Sequence, residues 1–150
     1  MKLVKTYTSI PLHVSTQASA TNAFACQYYK DLGASRVILA REVSINDCIE
    51  IKKTCNTELE IFVHGAMCAS YSGKCVISNY SAGRDSNRGG CVQSCRHTYQ
   101  LIDPDSGSKQ QRTHIMNAKD LMGIDTLPNI IKANINMSTI SSFLISPVTS

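Results

Sequence analysis

Three short apolar runs at nearly even intervals constrain this chain more than any other feature. They are Leu12 to Ser15, Arg36 to Ala40 and Leu59 to Val63. Each is brief, and β-branched or aromatic residues dominate its centre, as in buried strands. The steps between them are about 25 residues, enough for one helix and its turns, which is the length of a βα unit. The pattern predicts parallel strands near residues 11–15, 36–41 and 59–63, and hence a parallel sheet or barrel.

The intervals read as helices. Thr21 and Asn22 offer caps, and Ala23, Phe24, Cys26, Tyr28 and Leu32 supply an apolar face. Gly33 stands where a helix would stop, so a helix is expected over about 21–32. Ser44 followed by Asp47 is an acidic variant of the capping box. With Ile45, Cys48, Ile49 and Ile51 it predicts a second helix over about 45–54. Further on, His114 to Asn117 reads as another strand, and Asp125 to Ala133 as a short helix with Pro128 in its first turn. The tail from Asn134 to Ser150 is polar and weakly periodic. No linker divides the chain, so 1–150 is read as a single domain.

Between the third run and His114 the periodicity breaks down. Gly, Ser, Asn and Arg crowd 78–90, and a long irregular segment in a compact chain is usually functional or disordered. This one, about 65–112, carries Cys68, Cys75, Cys91 and Cys95 in the spacing Cys-x6-Cys-x15-Cys-x3-Cys. Soft thiolates grouped in this way can hold zinc or an iron–sulfur cluster. Buried free thiols and a disulfide are the other readings. Cys26 and Cys48 fall on apolar faces of the expected helices and Cys55 near a helix end, where core packing is the simpler role.

Composition narrows the compartment. No apolar stretch is long enough to span a membrane. The start, Met1 to Lys5, is followed by Thr6, Tyr7, Thr8 and Ser9 rather than an apolar run, so no secretory signal is expected. Seven cysteines without such a signal point to a reducing, cytoplasmic setting. The net charge of +4 permits contact with RNA without arguing for it, since no dense Lys/Arg run exists.

The run from Glu60 to Ser78 resembles the signature of the collagenase-like peptidase family U32. That signature asks in order for an acidic residue, a Phe, Gly-Ala-x-Cys, Gly-x-Cys and a Ser. Here they are Glu60, Phe62, Gly65-Ala66-Met67-Cys68, Gly73-Lys74-Cys75 and Ser78. The likeness continues through Gly83 to Cys91 and Gln93 to Arg96, and upstream through Pro11 to Gln17 and Leu39 to Glu42.

The resemblance implies an α/β fold, here a partial (β/α) TIM-type barrel with a cysteine-rich loop insertion. It implies prephenate-dependent hydroxylation of tRNA or rRNA bases, or a ubiquinone hydroxylation role. The alternatives are a collagenase-like peptidase and an inactive truncated remnant. It also implies a 4Fe-4S cluster, with ligands carried over onto Cys68, Cys75 and Cys91, which would then converge. The family's fourth cysteine falls at Met122 in Asn117-Ala118-Lys119-Asp120-Leu121-Met122, and a thioether replaces a thiolate poorly at a cluster iron. Cys95 could serve instead, although in the family pattern it stands beside the ligands rather than among them. A Lys-Ile-Glu-Gly-Arg-like strand expected further on is replaced by Thr139-Ile140-Ser141-Ser142-Phe143, which supports the remnant reading. RNA, prephenate and a complementary fragment or a second copy of the chain are the implied partners.

Chemistry in such barrels gathers at the C-terminal ends of the strands. That singles out Gln17, Arg41, Glu42 and His64 as candidate catalytic residues. Arg41 could clamp a carboxylate or pair with Glu42; His64 could be a base, an orienting donor or a core histidine. Arg84, Arg88 and Arg96 frame the cysteine segment and could meet phosphate or remain solvated. No protease triad can be read from the sequence.

Overall fold

The computed structural model describes residues 1–140. After a short N-terminal helix α1 (Lys2–Tyr7), the expected alternation follows: β1 (His13–Val14), α2 (Ala23–Asp31), β2 (Arg36–Ile38), α3 (Ile45–Thr54) and β3 (Glu58–Gly65). The three strands are parallel, with His13 opposite Arg36 and Val37 opposite Leu59. The first two are shorter than expected and the third longer.

Local chemistry sets the helix starts as read. Asn22 accepts the Ala25 amide at 2.9 Å. The Ser44 hydroxyl accepts the Asp47 amide at 3.1 Å and donates to the Asp47 carboxylate at 2.6 Å, closing the acidic capping box. Gly33, at φ +93°, ends α2.

Strands and helices bury one common core. Val14, Val37, Leu39, Leu59 and Ile61 come from the sheet side. Ala20, Cys26, Cys48, Ile51 and Cys55 come from the helical side, so the three early cysteines pack as small apolar groups. Burial pushes the Cys26 thiol up to about 12, with Cys55 and Cys48 close by adding to the effect. It pushes Cys48 up to about 11.

Across one sheet surface, Arg36 donates to Glu60 at 2.9 Å and also bonds Glu58, while Asn136 donates to Glu58 from the far side. The arrangement follows from strand periodicity, since residues 58 and 60 share a face.

Three expectations are corrected downstream. His114 to Asn117 is not a strand. Thr113 bridges Tyr99 and Lys109 bridges Ile102, both antiparallel, and the chain turns immediately afterwards. The Asp103 carboxylate nucleates the tip by accepting from Asp105 and Ser106. The strand comes later, as β4 (Leu121–Met122), antiparallel to the end of β3. Second, the tail read as polar and weakly periodic contains β5 (Asn136–Ile140), parallel to β3 with a bulge between Phe62 and His64. Of the replaced Thr139 to Phe143 segment, Thr139 and Ile140 belong to β5, and 141–143 lie outside the described residues. Third, the cysteine-rich segment read as an irregular loop contains α4 (Ile77–Ala82) and short 3-10 turns at Ser86–Arg88 and Ser94–Arg96. The helix expected over Asp125 to Ala133 is a 3-10 turn (Ile124–Thr126) running into α5 (Leu127–Lys132), with Pro128 in its first turn. The result is a five-stranded mixed sheet among the described residues.

Candidate functional site

The C-terminal ends of β1, β2 and β3 open on one side of the sheet into a cavity of about 610 Å³. The β1 turn contributes Thr16 and Gln17, the segment after β2 contributes Arg41, and the exit of β3 contributes Ala66, Met67 and Cys68. The cysteine-rich segment closes the opposite wall with Arg88, Cys91, Cys95 and Arg96. The expectation that strand ends and cysteine segment face each other holds.

A cluster of hydrogen bonds centred on Ser72 holds the first cysteine loop against the sheet. Ser72 is 1% exposed. Its hydroxyl donates to Glu42 Oε2 at 2.9 Å and accepts the Arg41 amide at 3.0 Å. Its amide donates to the same Glu42 oxygen at 3.3 Å, and its carbonyl accepts from the Ser19 hydroxyl. Next to it, the Gly73 amide donates to Gln17 Oε1 at 2.8 Å. Gly73 sits at φ +72°, and a Cβ there would run into the Gln17 carbonyl, so only glycine fits. Glu42 and Gln17 thus position the loop from Cys68 to Cys75. Nothing about Ser72 announced this role in the sequence beyond its place between two signature elements.

Arg41 forms no ion pair with Glu42. Glu42 instead lines a neighbouring pocket of about 310 Å³, which Arg41, Cys68 and Tyr71 also line. His64 does not line the cavity; it lies on β3 opposite Met122. Arg96 lines it and donates to Asp120 at 2.6 Å, tying the cavity wall to the approach to β4. Arg88 lines it too and pairs with Asp85 at 3.3 Å. Arg84 stands off it. Asn87, unremarked in the sequence, lines the cavity and clamps the Cys75 backbone by accepting from its amide at 3.2 Å and donating to its carbonyl at 2.9 Å.

All seven cysteines are free thiols. Cys68, Cys91 and Cys95 share the cavity wall, whereas Cys75 is not part of it. Cys91 Sγ accepts the Gln93 amide at 3.3 Å and the Ser78 hydroxyl at 3.9 Å. Burial pushes the Cys95 thiol up, and the neighbouring Cys68 and Cys91 add to the shift. Among the described residues no three His, Cys, Asp or Glu side chains form a group able to hold a metal ion. Met122 is 73% exposed on β4, away from the cavity. As folded, the donor set does not fit a four-thiolate cluster on Cys68, Cys75, Cys91 and a residue at 122.

The arrangement can therefore offer a guanidinium from the strand side, thiols and two further cations from the opposite wall, and an apolar patch of Phe62, Ala66 and Met67. No His, Asp or Glu is among the described residues that line it.

A family model described as peptidase family U32 matches residues 1–149. The chain is 42% identical over 134 residues to tRNA hydroxylation protein P1 of Bacillus subtilis, covering 85% of this chain and 32% of that protein. It is 46% identical over 135 residues to tRNA hydroxylation protein P of Helicobacter pylori, covering 83% and 32%. It is also 33% identical over 141 residues to a collagenase of Porphyromonas gingivalis, covering 85% and 34%. The chain thus spans about a third of the length of these relatives. No solved structure matches.

Proposed function

The chain belongs to peptidase family U32, and from that premise we propose that it serves in hydroxylation of an RNA base, tRNA before rRNA. The observation that carries this reading is the composition of the cavity. Peptide hydrolysis needs a general base or an activated nucleophile at the bond to be cut. The described wall holds thiols and arginines but no His, Asp or Glu to activate them. A cation-lined cavity at the strand ends suits an anionic acid and a polyanionic RNA far better. Prephenate is the co-substrate that the family resemblance implies, and its carboxylates match that charge. The collagenase-named relative is the basis of the second reading, a peptidase.

In this function the residues of the chain bind and orient. Glu42 and Gln17, through Ser72 and Gly73, hold the loop that carries Cys68. Arg88 and Arg96, each paired with an aspartate, line the opposite wall. No step is assigned to an iron–sulfur centre. The sheet is read as part of a (β/α) barrel that residues from elsewhere complete, whether further sequence, a complementary fragment or a second copy. The cytoplasm is the proposed setting, and seven free thiols suit it. Among the described residues no helix is long and apolar enough to cross a membrane.

The test uses a bacterial host that lacks its own tRNA hydroxylation protein. The chain is expressed alone and together with the segment of a relative that it does not span. Mass spectrometry then reads hydroxylated uridine in tRNA and hydroxylated cytidine in 23S rRNA. The expected result is restored hydroxyuridine when both segments are present. No hydroxylated nucleoside in either arm, with gelatin cleavage by the purified pair, would replace this reading with the peptidase.

A further inference from the structure

Buried guanidinium nitrogens are ordinarily hydrogen-bonded, because stripping water from a charged donor without replacing its partner is costly. Arg41 departs from this. Its Nε and Nη2 are shielded from solvent and have no hydrogen-bond partner among the described residues. Its obvious counter-ion, Glu42, is turned to Ser72. Its backbone is pinned, because its amide donates to that same Ser72 hydroxyl. Arg41 lines both the large cavity and the adjoining pocket.

Nε and Nη2 lie on one edge of the guanidinium plane, the edge that takes two oxygens side-on. We propose that Arg41 is an oxyanion seat that binds one carboxylate of a small organic acid through its Nε–Nη2 edge. Two observations favour a small acid over an RNA phosphodiester. Arg41 is a half-buried side chain at the strand ends, whereas Arg88 on the same cavity is 87% exposed and is the one open to a polynucleotide backbone. The same cavity also carries Phe62, Ala66 and Met67, an apolar surface suited to a hydrocarbon body attached to the carboxylate. The inference locates the acid co-substrate of the function proposed above and so rests on that reading.

The test is direct binding to the chain at fixed ionic strength in chloride buffer. Calorimetry and thermal shift are run with phenylacetate, succinate and inorganic phosphate as probes. Wild type should bind phenylacetate more tightly than succinate, and phosphate least. Arg41→Gln should lose the binding, and Arg41→Lys should weaken it roughly tenfold, since an ammonium lacks the planar fork. Arg84→Gln, off the cavity, should bind as wild type does. Without ligand, Arg41→Gln should melt no lower than wild type, because it removes an unpaired buried charge; Arg41→Lys supplies a charged comparison should it melt lower. Unchanged phenylacetate binding in Arg41→Gln and Arg41→Lys overturns the proposal. So does phosphate binding that matches or exceeds phenylacetate binding and is lost with Arg41. Loss of acid binding in Arg41→Gln, in a protein that restores no RNA hydroxylation, would keep the seat and remove only the wider reading.

Discussion

The Ser72 hydroxyl donates to the Glu42 carboxylate at 2.9 Å, and the Ser72 amide reaches the same oxygen at 3.3 Å. This two-point hold joins the segment after β2 to the loop between the first two signature cysteines, thirty residues away in the chain. It turns an acidic residue at a strand end from a candidate catalyst into a positioning group, and among the described residues Arg41 has no carboxylate ion-paired to it.

Ser72→Ala removes the hydroxyl from a fully buried position and deprives Glu42 and the Arg41 amide of a partner. A loss of about 1–3 kcal/mol is expected, as for other buried polar groups left unsatisfied. Urea denaturation measures it. Alkylation of Cys68 should also accelerate in the folded protein, because its loop is loosened. Unchanged stability together with unchanged Cys68 reactivity would show that the hold is incidental.

Gly73→Ala places a Cβ against the Gln17 carbonyl at a residue with φ +72°. Both terms act in the same direction, and the expected loss is about 2 kcal/mol or more. Gly83→Ala is the comparison. It also has positive φ, at +63°, but meets nothing within 4 Å, so the milder loss expected there isolates the backbone contribution.

The seven thiols should divide into two kinetic classes. Cys26, Cys48 and Cys55 are buried, and the first two are pushed up to about 12 and 11, so almost no thiolate exists at neutral pH. Iodoacetamide at pH 8 followed by peptide mass spectrometry should label Cys91 first and these three only after denaturation. Rapid labelling of Cys26 in the native state would contradict the packing of α2.

Acid should weaken the sheet through Glu58. The Arg36 guanidinium beside it holds its carboxyl below the usual carboxylate range. A group depressed in the folded state stabilises above its unfolded value and loses that contribution as pH falls through its folded one. Stability should therefore decline as pH drops below the ordinary carboxylate range. Glu58→Gln should flatten that part of the profile while changing little near neutrality, where exposed pairs contribute weakly. A Glu58→Gln profile as steep as wild type would assign the acid sensitivity elsewhere.

Anaerobic iron–sulfide reconstitution should load the chain poorly, and Met122→Cys should not rescue it. A thiol at 122 would stand on β4 opposite His64, away from the wall that carries Cys68, Cys91 and Cys95. Iron counting per chain, with the thiolate-to-iron absorption band as the second reading, tests this. Full loading of the Met122→Cys variant would mean that β4 and the cysteine segment rearrange around the metal.

The alternation β1-α2-β2-α3-β3 could be read from residues alone because the signals that produce it are local. Strand runs, the Asn22 and Ser44 caps and the stop at Gly33 act within a few residues of one another. The signature cysteines and the segment that carries them were visible for the same reason. What the fold itself decided is every pairing across distance. β5 was missed because its alternation, Ile135-Asn136-Met137-Ser138, is short and lies in a Ser/Thr-rich tail, and only the pairing with β3 makes it a strand. The roles of Gln17 and Glu42 were invisible because their partners, Gly73 and Ser72, lie 56 and 30 residues away. Which thiols share a wall was undecided by spacing: Cys95 joins Cys68 and Cys91 in lining the cavity, whereas Cys75 is held from behind by backbone hydrogen bonds to the lining residue Asn87. Period and capping are encoded in neighbouring residues; the company a side chain keeps in a site depends on how the chain closes on itself.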